Sequence, residues 1–340
     1  MKVLLYFEGE SMISGSGIGR ALKHQQAALD AVGIEWTCDP SDDYDILHIN
    51  TVGPNSSHMI KQAKELGRKV IYHAHSTEED FRNSFVFSNT IAPMFKKHLI
   101  NLYSQADLII TPTPYSKRLL EGYELQQPIY AISNGIDLQR FSYNEEKVKA
   151  FRKYFSLDEK DKVVLCVGLF FERKGILDFV EVAKRMPEYK FIWFGSINNM
   201  MIPSHVRDIV QGNHPNNVIF PGYVKGAIIE GAFSGSDVFF FPSYEETEGI
   251  VVLEALASHQ NVIVRDIGVY DEWLFDQVNC YKGTNNDVFV QLIQDVIEKR
   301  VPSVKEEGYK TAQERSIDFI GQQLQSVYKQ VLENNEKFNS

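Results

Sequence analysis

The chain has 340 residues, 44% hydrophobic and 24% charged, which is ordinary for a globular protein and long enough for two domains. A net charge of −10 argues against bulk nucleic-acid binding. Three distant cysteines, Cys38, Cys166 and Cys280, point to neither a disulfide framework nor a zinc site and fit a reducing compartment.

The N-terminus opens on a short apolar run, Val3–Phe7, closed by Glu8. It reads as a first strand and is too short for a signal sequence. No stretch approaches the ~18–20 apolar residues that span a bilayer. A cytoplasmic protein, peripherally associated with the inner face of the cell membrane, is expected.

Short apolar runs then alternate with amphipathic segments. A helix is expected from about Gly19 to Val32, a strand at Ile46–Ile49, a helix near Ser57–Leu66 and a strand at Val70–His73. A longer helix near Ala92–Gln105 follows, then strand Leu108–Thr111, helix Ser116–Gly122 and strand Pro128–Ile132. The charged segment Tyr143–Lys162 reads as a helical connector, after which the pattern restarts. Strands are expected at Val163–Val167, Phe191–Phe194, Val218–Phe220, Val238–Phe241 and Val262–Val264. Helices are expected at Ile176–Lys184, His205–Gln211, Ile228–Gly235, after Val238–Phe241, and from Val288 to about Arg300. The last helix runs from about Ile317 to Glu333. Such βαβ alternation builds parallel sheets with helices on both faces. The fold class expected is α/β, with two doubly wound Rossmann-like domains facing across a cleft. Residues 1–140 form the first, joined by the C-terminal helix 317–338, and 141–316 form the second.

Glu246 and Glu254 stand eight positions apart, the first in the loop after a strand and the second inside the helix that follows. In an open parallel sheet this turn is where ligands bind, and a helix start offers N–H groups to phosphate. Both glutamates suit the hydroxyls of a sugar-phosphate ligand; an acidic helix start is the alternative. Glu248 is expected to be only a helix-start charge. Arg173 and Lys174 precede another helix after the first strand of the second domain, where they suit a diphosphate, or else form a solvated basic pair.

The loop Ser14-Gly15-Ser16-Gly17-Ile18-Gly19-Arg20 opens a helix but lacks the third glycine of a dinucleotide fingerprint, in either register. It still suits a phosphate or sugar. In His73-Ala74-His75-Ser76, His73 reads as a core histidine and His75 as a cleft residue that meets a substrate hydroxyl. No carboxylate or cysteine accompanies the pair convincingly, so no metal is expected. Asn134-Gly135 reads as a turn at the domain hinge. Residues 81 to 106 contain no acid and combine Phe85 and Phe87 with Lys96 and Lys97, a set able to rest on anionic lipid or to form an ordinary Phe cluster with a basic helix end.

Together these parts resemble the retaining glycosyltransferases of family four, whose fold is GT-B. Glu246 to Glu254 with Ala255-Leu256-Ala257-Ser258 looks like the family's E-x7-E motif. The Ser16–Arg20 loop, Asn134-Gly135-Ile136-Asp137 and Arg173-Lys174-Gly175 support it. The run His73–Ser84 and Thr111-Pro112-Thr113-Pro114-Tyr115-Ser116 look like Gram-positive enzymes that extend glucosyl-diacylglycerol.

The resemblance implies a retaining hexosyltransferase that moves glucose or galactose from a UDP-sugar to a membrane glycolipid. The acceptor it implies is monoglucosyl-diacylglycerol, and no cofactor or metal is needed. Glu254 would receive the ribose, Glu246 the hexose, and Gly249, Ile250 and Val251 the sugar and diphosphate through their backbone. Arg173 and Lys174 would neutralise the leaving diphosphate. Gly17, with Gly19 beside it, would admit the donor phosphate, and His75 would sit beside the reacting sugar. Where the family commonly has Arg after the glycine of its second-domain first loop, this chain has Leu169, and Arg173 is expected to substitute. Two other readings keep the fold: an acceptor that is soluble or polysaccharide, and a catalytically silent sugar-nucleotide-binding protein.

Overall fold

The computed structural model of the chain describes residues 1–8 and 17–333. Short runs rich in Val, Ile, Leu and Phe become strands buried on both faces, as all-parallel sheets require. They fall into two separate sheets.

The first sheet contains β1 (Lys2–Tyr6), β2 (Glu35–Thr37), β3 (Ile46–Ile49), β4 (Lys69–His73), β5 (Leu108–Thr111) and β6 (Ile129–Ala131), all parallel in the order β2-β1-β3-β4-β5-β6. Its crossovers carry α1 (Gly17–Ala31), α2 (Ser56–Glu65), α3 (Glu78–Phe81), α4 (Ser88–Tyr103) and α5 (Pro114–Glu121). The second sheet contains β7 (Val163–Val167), β8 (Lys190–Phe194), β9 (Val218–Gly222), β10 (Val238–Phe241), β11 (Val262–Arg265) and β12 (Tyr281–Gly283). It is parallel too, in the order β12-β11-β10-β7-β8-β9. Its helices are α6 (Glu145–Tyr154), α7 (Ile176–Arg185), α8 (Ser204–Val210), α9 (Ala227–Gly235), α10 (Ile250–Ala257), α11 (Asn286–Ile297) and α12 (Lys305–Gln313).

The chain divides into two units. The N-terminal unit takes residues 1–80, 90–135 and those from Arg315 onward; the C-terminal unit takes 81–89 and 136–314. The last helix, α13 (Ile317–Glu333), therefore belongs to the first sheet's unit, where it lies on α1. Its Ile320, Leu324, Val327, Tyr328 and Val331 share one apolar cluster with Val3, Leu5, Ala28 and Leu29. These positions recur at three- and four-residue spacing, so one stripe of α13 faces the unit.

Several expectations need correction. Residues 143–162 are no connector: α6 packs along α9, Phe151 is fully buried, and Lys147 and Arg140 each reach Glu230 at 2.9 Å. Its many charges hid a single apolar face. Helix α4 begins at Ser88, a full turn before Ala92, because Pro93 is accommodated inside it at the loss of one backbone N–H. The strands β2 and β12, each three residues long and at a sheet edge, went unread. Residues 9–16, which include Ser14-Gly15-Ser16, and residues 334–338 of the expected final helix lie outside the described residues. No described helix is long and apolar enough to cross a membrane.

Because Phe151 anchors α6 to the C-terminal unit, Phe151→Ala should destabilise the protein by about 3–5 kcal/mol. Urea unfolding would show a lower midpoint; an unchanged midpoint would return α6 to the status of a connector.

Candidate active site

The order β12-β11-β10-β7-β8-β9 is a doubly wound arrangement that reverses between β7 and β10, which are hydrogen-bonded neighbours. At such a reversal the two following loops leave in opposite directions and open a crevice at the carboxyl ends of the strands. The loop after β7 carries Arg173 and Lys174 in a 3-10 turn, Glu172–Lys174. The loop after β10 carries Ser243 and Glu246. Topology thus brings together two motifs about seventy residues apart in sequence.

The two loops are tied through backbone. Tyr244 N donates to Arg173 O at 2.7 Å, and Arg173 N donates to Asn83 O at 3.1 Å. Gly175 ends the turn with φ +78, and a Cβ there would lie 2.3 Å from Pro242 O. Only glycine allows the turn to lie so close to the end of β10.

Glu246 is 5% exposed. Its Oε1 accepts from Ser243 Oγ at 2.6 Å and from Lys174 Nζ, and Arg173 Nη1 stands 3.7 Å away. Burial by itself raises this carboxyl's pKa. The charges of Lys174 and Arg173, with the hydrogen bonds from Lys174 and Ser243, outweigh burial and hold it below its ordinary value. Glu246 is therefore an ionised carboxylate at neutral pH. Lys174 Nζ also lies 5.3 Å from the centre of the Phe241 ring.

Arg173 faces inward more than the sequence indicated. Its Nε donates to Ser84 Oγ at 2.7 Å and its Nη1 to Glu245 O at 2.9 Å. The guanidinium thus braces the β10 loop and the segment 81–89 within the C-terminal unit.

Gly249 caps α10 with φ +88, and a Cβ would lie 3.2 Å from the Tyr270 hydroxyl. Ile250 and Val251, both half-buried, open the helix and supply first-turn N–H groups. Glu254 is 1% exposed on α10. Glu248 is equally buried at 1%, at the start of α10. It precedes the Gly249 cap, and the left-handed cap residue turns the chain before the helix begins. Tyr270 is a residue that sequence reasoning missed; it is fully buried beneath Gly249, and the neighbouring Asp271 and Glu272 give no sign of that contact.

In the N-terminal unit, Gly17 is the first residue of α1, with open space where its Cβ would be, and Gly19 is buried. His75, 8% exposed, follows β4 and hydrogen-bonds Asn50 Oδ1 through Nε2 at 2.9 Å. Burial pushes its pKa down to about 3. His73 and His75 point to one side, and their rings stack at 4.0 Å and 9°.

The proposed lipid-facing set divides. Phe87 is 76% exposed and Lys97 is exposed. Phe85 is half-buried, with its ring 4.8 Å from that of Phe171. Lys96 pairs with Glu78 at 3.5 Å and lies 4.4 Å from the centre of the Tyr123 ring. Phe85 and Lys96 therefore serve packing, and the structure presents Phe87 and Lys97 outward. Among the described residues no group of three or more His, Cys, Asp or Glu is placed to hold a metal ion.

Two doubly wound parallel sheets, with a paired carboxylate at the reversal of the second, have the GT-B fold of glycosyltransferases. Residues 147–315 match the family of glycosyl transferases group 1, and residues 27–140 match Glycosyltransferase Family 4. The chain is 52% identical, over 98% of its own length and 99% of the relative's, to the processive diacylglycerol alpha-glucosyltransferase of Acholeplasma laidlawii. It belongs to glycosyltransferase family 4. It is also 25% identical to the alpha-galactosylglucosyldiacylglycerol synthase of Streptococcus pneumoniae, over 74% of this chain and 66% of that one. Anabaena Alr3699/HepE, solved in complex with UDP and glucose, shares the fold with a TM-score of 0.78 at 16% identity, over 97% of this chain and 100% of that one.

The depressed pKa of Glu246 carries a sign. Its ionised state stabilises the fold at pH above the ordinary glutamate value of 4.5, and that contribution is lost as pH falls through the lower folded value. Glu246→Gln should therefore lower the urea midpoint at pH 7, and the gap from the parent protein should close as pH falls below 4.5. A gap of constant size down to pH 3 would show that the carboxylate charge is not what stabilises this loop.

Proposed function

We propose that the protein is a retaining hexosyltransferase that moves glucose from UDP-glucose to a diacylglycerol-based membrane glycolipid. The observation that carries the reading is the buried, ionised Glu246 joined to Lys174 at the β7/β10 reversal. A carboxylate fixed in this way accepts hydrogen bonds from sugar hydroxyls without needing to reorganise. Lys174, with the N–H groups of Ile250 and Val251 at the α10 start, suits the negative charge that gathers on a leaving diphosphate. Glu254 receives the ribose hydroxyls. His75 receives a substrate hydroxyl.

Glucose is favoured as donor sugar over galactose by the name of the relative at 52% identity, an alpha-glucosyltransferase acting on diacylglycerol. UDP-glucose is itself α-linked, so an α-linked product means net retention. The acceptor class follows from the same relative and from the pneumococcal synthase. UDP as the nucleotide is supported by the solved neighbour that holds UDP and glucose. The diacylglycerol-acting relatives support a peripheral position at the inner face of the membrane, with exposed Phe87 as a contact of the C-terminal unit and exposed Lys97 as a contact of the N-terminal unit.

Full-length protein supplied with UDP-glucose and vesicles containing diacylglycerol or monoglucosyl-diacylglycerol should release UDP and form an α-glucosyl lipid. Glu246→Ala should lower turnover by about 10²-fold or more while remaining folded by circular dichroism. Turnover at the parental rate in that variant would remove Glu246 from the reaction. UDP release without any lipid product would overturn the acceptor assignment.

A further inference from the structure

Behind His75 the N-terminal unit buries a polar chain that belongs to no part of the site described above. Gln25 on α1, His48 on β3, Asn50 just after it, His73 on β4 and Tyr328 on α13 are all buried, between 0% and 2% exposed. They come from four elements that share no sequence motif. Gln25 Nε2 lies 2.7 Å from Asn50 Oδ1 and 2.8 Å from His73 Nδ1. His48 Nε2 lies 3.3 Å from His73 Nδ1, and His48 Nδ1 lies 2.6 Å from the Tyr328 hydroxyl.

The direction of each hydrogen bond follows from one fixed end. Asn50 Nδ2 is turned toward the carbonyl of His48, at 3.5 Å, so its Oδ1 must be the atom facing Gln25 and His75; the reverse orientation would set oxygen against oxygen. Gln25 Nε2 then gives one N–H to Asn50 Oδ1 and the other to His73 Nδ1. His73 Nδ1 is therefore an acceptor. His48 Nε2 faces that same lone pair and must carry a proton, which leaves His48 Nδ1 bare to accept from Tyr328 O–H. His75 meets Asn50 Oδ1, an acceptor, so its Nε2 carries a proton. All three imidazoles are neutral at physiological pH: burial pushes His48 and His75 down to about 3, and His73 well below its ordinary value.

We infer that Asn50 is a positioning residue: it holds His75 in a single neutral tautomer, protonated on Nε2, so that His75 meets substrate only as a hydrogen-bond acceptor through Nδ1. Gln25, which donates to Asn50 Oδ1, and the His48 carbonyl, which faces Asn50 Nδ2, keep Asn50 turned the right way. The consequence rests on the reading of His75 as a substrate contact. An Nδ1 lone pair recognises an O–H, as on a sugar, and repels a phosphate oxygen. The histidine thus supplies no positive charge to the leaving diphosphate, and that task stays with the C-terminal unit. Tyr328 on α13 donates to His48 Nδ1 and so sets the tautomer of His48, at the far end of the chain from His75.

The test is long-range ¹H–¹⁵N NMR of the full-length protein labelled on histidine ring nitrogens, with the His75 signals assigned by their loss in His75→Gln. The expected pattern is one neutral Nε2–H tautomer at His75, unchanged on adding UDP. An Nδ1–H tautomer, or an imidazolium, would overturn the inference. Asn50→Leu should replace that pattern with mixed tautomers and lower kcat roughly 5- to 100-fold, the effect of losing one buried hydrogen bond, with little change in KM for UDP-glucose. A parental His75 pattern and kcat in Asn50→Leu would also overturn it. If Asn50→Leu does not fold, Tyr328→Phe serves instead: it should mix the tautomers of His48 while His75 keeps its own, and an undisturbed His48 would contradict the chain. Parental kcat in His75→Gln would instead remove His75 from the substrate and leave the tautomer assignment standing.

Discussion

The contact between Lys174 and Glu246 is the one on which the rest of the C-terminal unit's site depends. Each partner is nearly withdrawn from water, and an ion so placed costs several kcal/mol unless it is matched. The match is supplied from both loops at the β7/β10 reversal: Ser243 beside Glu246, Arg173 nearby, and Gly175 letting the basic turn lie against Pro242. Removing one partner would leave the other as an uncompensated buried charge. The pair therefore joins the two loops and at the same time fixes the ionised state of the carboxylate.

The N-terminal unit solves a different problem with different chemistry. Its buried polar groups around His75 are neutral, and they are held by directional hydrogen bonds rather than by charge. The division suits a transfer reaction. Negative charge develops on a diphosphate, and cationic and N–H groups belong there. Neutral hydroxyls need acceptors whose protons do not wander, and a locked tautomer provides one.

Much of this was legible in the chain itself. Uninterrupted apolar runs such as Val163–Val167 and Val238–Phe241 announce strands buried on both faces, and their alternation with amphipathic helices announces parallel sheets. Glu254 drew notice because it follows four apolar residues, Ile250–Leu253, and Glu246 because it falls in the loop after a strand, eight positions earlier. Arg173 was read as a diphosphate ligand, yet its guanidinium is largely engaged by Ser84 and the carbonyl of Glu245, partners that no local pattern reveals. The set Phe85, Phe87, Lys96 and Lys97 was left open between a lipid-facing surface and an ordinary Phe cluster with a basic helix end, because composition does not distinguish a Phe packed on Phe171 from an exposed Phe87. Gln25, Asn50 and Tyr328 were invisible because a network drawn from four elements exists only after the sheet has formed. Charge patterning misled once, at α6, where a single buried Phe151 outweighs an otherwise solvated face.

We propose that the buried Lys174–Glu246 pair is the centre of donor binding. Isothermal titration calorimetry of UDP-glucose against the parent protein and Lys174→Met tests it most directly. The variant should remain folded and bind at least about tenfold more weakly, a loss of roughly 1.4 kcal/mol. A folded Lys174→Met protein that binds UDP-glucose with the parental Kd would contradict it.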